Sequence, residues 1–142
     1  MAGYAKFGRP SPVYGGILVK QIGTISNVAY DNPFVGEIPF AACARLERIK
    51  LRNVTPGATY RTKIELFDCP PAVADEFNVI YYNEGFYSDH MLDDILTSIP
   101  YASEDGTPWI WIRVTPEQGT SNTFKLRIDG TLAVAAPALP PI

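Results

Sequence analysis

Apolar and polar residues alternate most clearly between Leu46 and Phe67. Ile49 and Leu51 share one face while Lys50 and Arg52 take the other, the period-two pattern of a half-buried strand. Further on, Tyr60, Thr62, Ile64 and Leu66 fall on one face, and Arg61, Lys63 and Glu65 on the opposite one. Between the two runs Pro56 presets a negative φ and Gly57 accepts a positive one, a combination that suits a type II turn. The stretch therefore predicts two strands joined by a Pro-Gly corner, the spine of a β-sandwich.

The corner residues Val54, Pro56, Gly57 and Tyr60 resemble the tyrosine corner of fibronectin type III and other immunoglobulin-like domains. That resemblance implies a chain reversal between two sheets. It also implies a largely buried Tyr60 whose hydroxyl bonds backbone near Val54 to Gly57.

The same reading places further strands along the chain. Ile17 to Ile25 reads as a first strand broken at Gly23, residues 30–39 as turn-rich, and Phe40 to Ala44 as a small-residue strand entering the spine. After a break at Asp68 to Pro71 come an aromatic strand, Phe77 to Tyr82, and a second strong strand, Trp109 to Thr115. Pro116 to Asn122 closes a hairpin onto Thr123 to Ile128. Residues 88–99 are the helical candidate. Ser88 suits the N-cap, Asp89 the positive helix end, and Met91, Leu92, Ile95, Leu96 and Ile99 form an apolar stripe. The same residues also fit an irregular segment over one mouth of the sandwich.

Residues 75–128 further resemble, loosely, the β-sandwich domain at the C-termini of many secreted bacterial peptidases. Asp75 to Tyr82 and Trp109 to Ile128 follow that family's order, although Asn78 stands where Asp is usual and Pro108 interrupts the Gly-Thr lead-in. The likeness implies a jelly-roll-like sandwich and says little about role. The expected fold is thus all-β: an antiparallel β-sandwich, jelly-roll or immunoglobulin-like, with one short helix and extended terminal arms. Its parts are an N-terminal arm (1–16), a sandwich (17–129) and a C-terminal tail (130–142).

Composition agrees with one turn-rich domain: 142 residues, 46% apolar, with 13 prolines and 11 glycines. The apolar runs are too short to cross a bilayer. Met1 leads into a Gly- and Pro-rich polar segment, without the basic and apolar regions of a secretory signal. Synthesis in the cytoplasm, with no membrane partner, is the expectation. Charge divides the chain, with +5 over residues 1–65 and −8 over 66–142, for a net −3. A net acidic chain whose basic residues alternate along strands rather than clustering is not expected to bind nucleic acid. Complementary halves would steer copies of the chain together or onto a charged partner, or else one sandwich face is basic, another acidic, and both are simply solvated.

Candidate chemistry is sparse. His90 is the single histidine, beside Asp89 and near Asp93 and Asp94, a grouping suited to a divalent cation or acid–base work. A solvated acidic first helical turn explains it more cheaply. Asp75 with Glu76, and Glu104 with Asp105, lack the alternating ligand spacing of a calcium loop and read as turn residues. Cys43 and Cys69 sit in apolar stretches and read as two reduced core thiols. No nucleophile elbow, dinucleotide fingerprint or phosphate loop occurs. No catalytic residue, metal ligand or cofactor is therefore assigned. Tyr81 and Trp109 or Trp111 point to opposite faces from their neighbours Tyr82 and Ile110, so some large rings emerge on an outer face, either exposed for protein or sugar or covered by loops or the helix.

The termini carry the remaining signal. Tyr4, Phe7 and Tyr14 lie among glycines, which suggests apolar anchors to a partner, with Lys6 and Arg9 meeting acidic surface. Leu132 and Leu139 extend that logic to the C-terminal tail. A lone sandwich with such arms resembles the small head-decoration, cement and adaptor proteins of bacteriophages. The resemblance implies a homo-oligomeric, non-enzymatic virion protein, made in the host cytoplasm, whose partners are other virion proteins such as the major capsid protein. A carbohydrate- or protein-binding sandwich is the alternative, and an enzyme built on Asp89, His90 and Asp93 the last.

Overall fold

The computed structural model describes residues 3–12, 18–87 and 91–132. Among the described residues ten strands form two sheets: β1 (Tyr4–Phe7), β2 (Ser11–Pro12), β3 (Leu18–Val28), β4 (Phe34–Pro39), β5 (Cys43–Asn53), β6 (Arg61–Phe67), β7 (Val79–Tyr87), β8 (Leu92–Ala102), β9 (Trp109–Pro116) and β10 (Asn122–Leu132). One sheet has the order β1-β3-β10-β5-β8, with β2 also on β3, and the other β4-β9-β6-β7. Every pairing is antiparallel.

That order has a simple origin. β3 lies against β10, β4 against β9, β5 against β8 and β6 against β7, so the chain is one long hairpin with its tip at the β6–β7 connection. Successive rungs of the hairpin fall in alternate sheets, and rolling it up buries one face of each. This is the eight-stranded jelly roll rather than the immunoglobulin sandwich.

Alternation fills the space between the sheets. Leu46, Ile49 and Leu51 of β5, Phe124, Leu126 and Ile128 of β10, and Ile110, Ile112 and Val114 of β9 are all buried, and they meet Ile64 and Leu66 of β6 in one core. The Thr55–Ala58 corner carries the chain from the larger sheet to the smaller, with Gly57 at φ 74° and Ala58 N–H donating to Thr55 O at 3.3 Å.

Two expectations change here. The described part of the helical candidate, Leu92 onward, is strand β8. Leu92 and Leu96 point inward; a bulge at Ser98, which has φ 52°, then shifts the alternation so that Ile99 packs on the core and Tyr101 is buried. The resulting spacing of four and three copies a helical stripe. β-Branched Ile95, Thr97 and Ile99 favour the strand, and Pro100 is tolerated because β8 is an edge. Ser88, Asp89 and His90 lie outside the described residues.

The second change concerns the arms. Tyr4–Phe7 and Ser11–Pro12 pair along β3 as one interrupted edge strand. Ala5 and Phe7 pack against the core, and buried Gln21 donates to Gly8 O at 2.8 Å and to Pro39 O at 2.7 Å. The described part of the N-terminal arm is thus built into the larger sheet. At the other terminus β10 runs on to Leu132, past the expected end of the sandwich. β3 is not broken at Gly23.

Candidate functional site

Strand alternation that buries leucines and isoleucines inside the larger sheet sends the intervening residues to its outer face, where the charged ones are mostly basic. Lys6 of β1 pairs with Thr24, Thr24 with Lys125, and Lys125 with Arg52, a continuous row across four strands. The next row runs Ile22, Arg127, Lys50 and Asp93, and the one after it Lys20, Asp129, Arg48 and Ile95. With Arg45, eight of the twelve Lys and Arg residues occupy this face. Its carboxylates are Asp93, Asp129 and Glu47, so the face carries +5 and the remainder of the chain −8. The alternation expected to disperse the basic residues is what gathers them, because four strands alternate in register.

Part of this charge is neutralised locally. Arg48 holds Asp93 through a forked pair, Nε to Oδ1 at 2.8 Å and Nη2 to Oδ2 at 2.7 Å. The fork raises the guanidinium's pKa and lowers the carboxyl's. Arg127 pairs with Asp129 at 2.9 Å. Arg52 and Lys125 make no ion pair among the described residues. Between them lies a shallow groove of about 270 Å³, lined by the stems of Lys50, Arg52, Lys125 and Arg127 and by exposed Ile22 and Met91. Basic rims on aliphatic floors suit acidic protein surface.

The hairpin tip has the opposite character. No Lys or Arg occurs from residue 64 to residue 112. The β6–β7 connection holds two single-turn 3₁₀ helices, Pro71–Val73 and Glu76–Asn78. The second opens on a capping box at its N-terminus: Asp75 Oδ1 accepts from Phe77 N–H at 2.8 Å, and Asn78 Oδ1 from Asp75 N–H at 3.0 Å. Asn78 Nδ2 donates to Asp68 at 2.8 Å and to Glu104 at 3.2 Å, tying this turn to the β8–β9 loop. Two apolar side chains stand out of the tip: Phe77 is 84% exposed and Val73 76%.

The sequence-derived candidates scatter. Tyr4, Lys6 and Arg9 are exposed, Phe7 turns to the core, and Leu132 lies at the end of β10. Tyr14 and Leu139 lie outside the described residues. In the corner Val54 is partly exposed and Tyr60 half-buried rather than largely buried. The Tyr60 hydroxyl donates to Asn122 Oδ1, not to the backbone of Val54 to Gly57. Asn122 is available because the β9–β10 hairpin closes beside the corner. Its fully buried amide also accepts from Asn53 Nδ2 at 3.1 Å and donates to Val28 O and Gln118 O.

The cysteines differ from expectation as well. Cys69 is buried, but Cys43 is exposed at the start of β5. Burial first, and the Glu104 carboxylate second, push the Cys69 thiol up to about 11. Its sulfur lies within 4.8 Å of ligand oxygens of Asp68 and Glu104. With the thiol held protonated and both carboxylates bonded by Asn78, the cluster works as a loop tie. No helix among the described residues is long and apolar enough to cross a membrane.

Trp109 and Trp111 share the outer face of the smaller sheet, edge to face with centroids 6.2 Å apart. Trp111 is buried, and Trp109 borders a groove of about 390 Å³ with Pro70, Pro71, Val35 and Glu37. Tyr81 is buried on the inner side and donates to Asp94 at 2.9 Å, linking the edges of the two sheets. The sequence allows a basic sandwich face, but which residues form it depends on the register of four strands; Phe77, a lone aromatic between Glu76 and Asn78, is the feature that sequence reasoning missed. No protein-family model matches the chain, and no curated protein matches it in sequence.

Proposed function

We propose that this chain is a non-enzymatic structural protein of a viral particle, a capsid decoration, cement or adaptor protein of bacteriophage type. The observation that carries the reading is the segregation of charge, +5 on one outer sheet face against −8 elsewhere. A face that mixes cations with exposed Tyr4, Ile22 and Ile95 is suited to broad contact with an acidic protein surface. A phosphate ladder fits it less well, because Asp93, Asp129 and Glu47 interrupt the cations. The jelly roll is a recurrent architecture of viral capsids, and also of lectins and cupins, so fold supports the particle by analogy only. The test is the mass of the native assembly carrying the chain, recovered with an antibody against it. Shell-sized particles are expected; a free monomer overturns the reading.

A second reading rests on the smaller sheet. The Trp109 ring beside Pro70 and Pro71 supplies the kind of apolar platform on which sugars or peptides stack. A glycan array probed with the full chain and with Trp109→Ala separates the two: binding lost in the variant favours a carbohydrate-binding module.

A further inference from the structure

We infer that the chain binds a second copy of itself head to tail, with Phe77 of one copy seated in the groove between Arg52 and Lys125 of the next. The inference rests on reading the chain as an assembly component, and it names the contact that such a component makes with its own kind.

Phe77 is the most exposed large apolar side chain among the described residues, and it does not ride on a loose loop. Its own N–H is held by Asp75, and Asn78 fixes the turn to Asp68 and Glu104. A ring presented on a hydrogen-bonded turn is preorganised, so little ordering entropy opposes its burial in a partner. No described residue covers it.

The groove supplies what the ring lacks. Ile22 of β3 and Met91 beside β8 supply apolar contacts on its two sides, and the volume, about 270 Å³, accommodates a phenyl group; an apolar cavity of about 150 Å³ suffices for benzene. Charge matches on both sides of the ring. Phe77 is flanked by exposed Asp75 and Glu76, with Glu104 and Asp105 on the adjoining loop. The groove is rimmed by Lys50, Arg52, Lys125 and Arg127. Four carboxylates thus approach four cations around one aromatic anchor, the arrangement of an interface centre with a charged surround.

Geometry sets the kind of assembly. Phe77 lies at the β6–β7 tip, with the β8–β9 loop. Arg52, Lys125 and Met91 lie toward the opposite end of the larger sheet, beside the β5–β6 corner. Two different patches meet, so the contact is heterologous and propagates, closing into a ring or continuing as a filament.

The experiment uses sedimentation velocity on the full chain over a salt series. The wild type should self-associate at low salt and dissociate as salt rises. Phe77→Ala should weaken association about tenfold or more, in line with loss of a central aromatic anchor. Phe77→Asp and the double variant Arg52→Glu/Lys125→Glu should each be monomeric. An equimolar mixture of those two should form dimers and nothing larger, since one intact tip meets one intact groove. That recovery also reports that both variants are folded. A wild type that stays monomeric, association unaffected by Phe77→Ala, or a mixture that stays monomeric overturns the inference. A monomeric wild type that still enters a particle removes the self-contact and leaves the proposed function. A self-associating chain that enters no particle does the reverse.

Discussion

Phe7 lies directly across the β1–β3 pair from Gly23, and its ring fills the space that a side chain at residue 23 would occupy. The glycine that reads as a strand break is thus a seat for an aromatic ring from the neighbouring strand. Through that contact, and through Gln21 reaching Gly8 O, the N-terminal segment becomes part of the sheet. Deleting residues 1–12 should lower stability by about 1–3 kcal/mol, given one half-buried aromatic, Ala5 and an edge ladder. Gly23→Ala should act in the same direction by lifting Phe7 off the sheet. Thermal melts of the three proteins check this. A truncated chain that melts with the wild type would return the segment to the status of a free arm.

Asn122 uses all the bonding capacity of its amide. Oδ1 accepts from Tyr60 and Asn53, and Nδ2 donates to Val28 O and Gln118 O, with the residue fully buried. The two substitutions at this knot should therefore separate. Tyr60→Phe removes one donor and leaves Oδ1 bonded to Asn53, for a loss of about 1 kcal/mol. Asn122→Ala strands several buried groups at once and should lose about 3 kcal/mol or more. Urea midpoints at constant slope measure both, and equal losses would contradict this account.

On the smaller sheet, Arg113 forks onto Glu65, Nε to Oε1 at 2.8 Å and Nη2 to Oε2 at 2.9 Å, and its guanidinium carbon sits 5.3 Å from the centre of the Phe67 ring. Glu65 is nearly buried, with Lys63 as its other cation at 3.7 Å. Arg113→Ala leaves that carboxylate under-compensated and should destabilise by about 2–3 kcal/mol. Arg113→Lys should recover only part of this, since an ammonium cannot make the fork. Removing both partners as Glu65→Gln/Arg113→Gln should be milder than Arg113→Ala alone, which a double-mutant cycle would read.

These residues also show how far the sequence could be read. β5, β6, β9 and β10 were legible because alternation holds over much of each, with Ile49 and Leu51, Ile64 and Leu66, Ile110, Ile112 and Val114, and Phe124, Leu126 and Ile128 turned inward. β8 was not, because the bulge at Ser98 changes its period partway, and local pattern cannot see a bulge that Glu47 of the partner strand holds through Ser98 Oγ at 2.7 Å. β4 hid behind its glycine and prolines, since its pairing with β9 joins residues far apart in sequence. The corner was legible as a turn. Its hydrogen-bond partner was not, for Asn122 lies sixty-two residues beyond Tyr60. The basic face needed the register of four strands, which no single strand records.

Cys43 is exposed and Cys69 buried, so a thiol reagent should label Cys43 promptly on the folded chain and Cys69 only after unfolding. The Cys69 thiol, ordinarily near 9, is raised to about 11 in the fold, chiefly by burial. The folded state therefore keeps a proton that the unfolded chain gives up. Its contribution to stability is full below about pH 9 and is lost as pH rises toward 11. Tyr81 and Tyr101 act in the same sense at higher pH, their phenols raised mainly by burial, with Tyr81 also bonded to the Asp94 carboxylate. Denaturant midpoints should hold steady from neutral pH to about 9 and fall steadily above it. In Cys69→Ser the first part of that fall should shrink, whereas Cys43→Ser should leave it unchanged. Equal behaviour of the two variants would remove Cys69 as the cause.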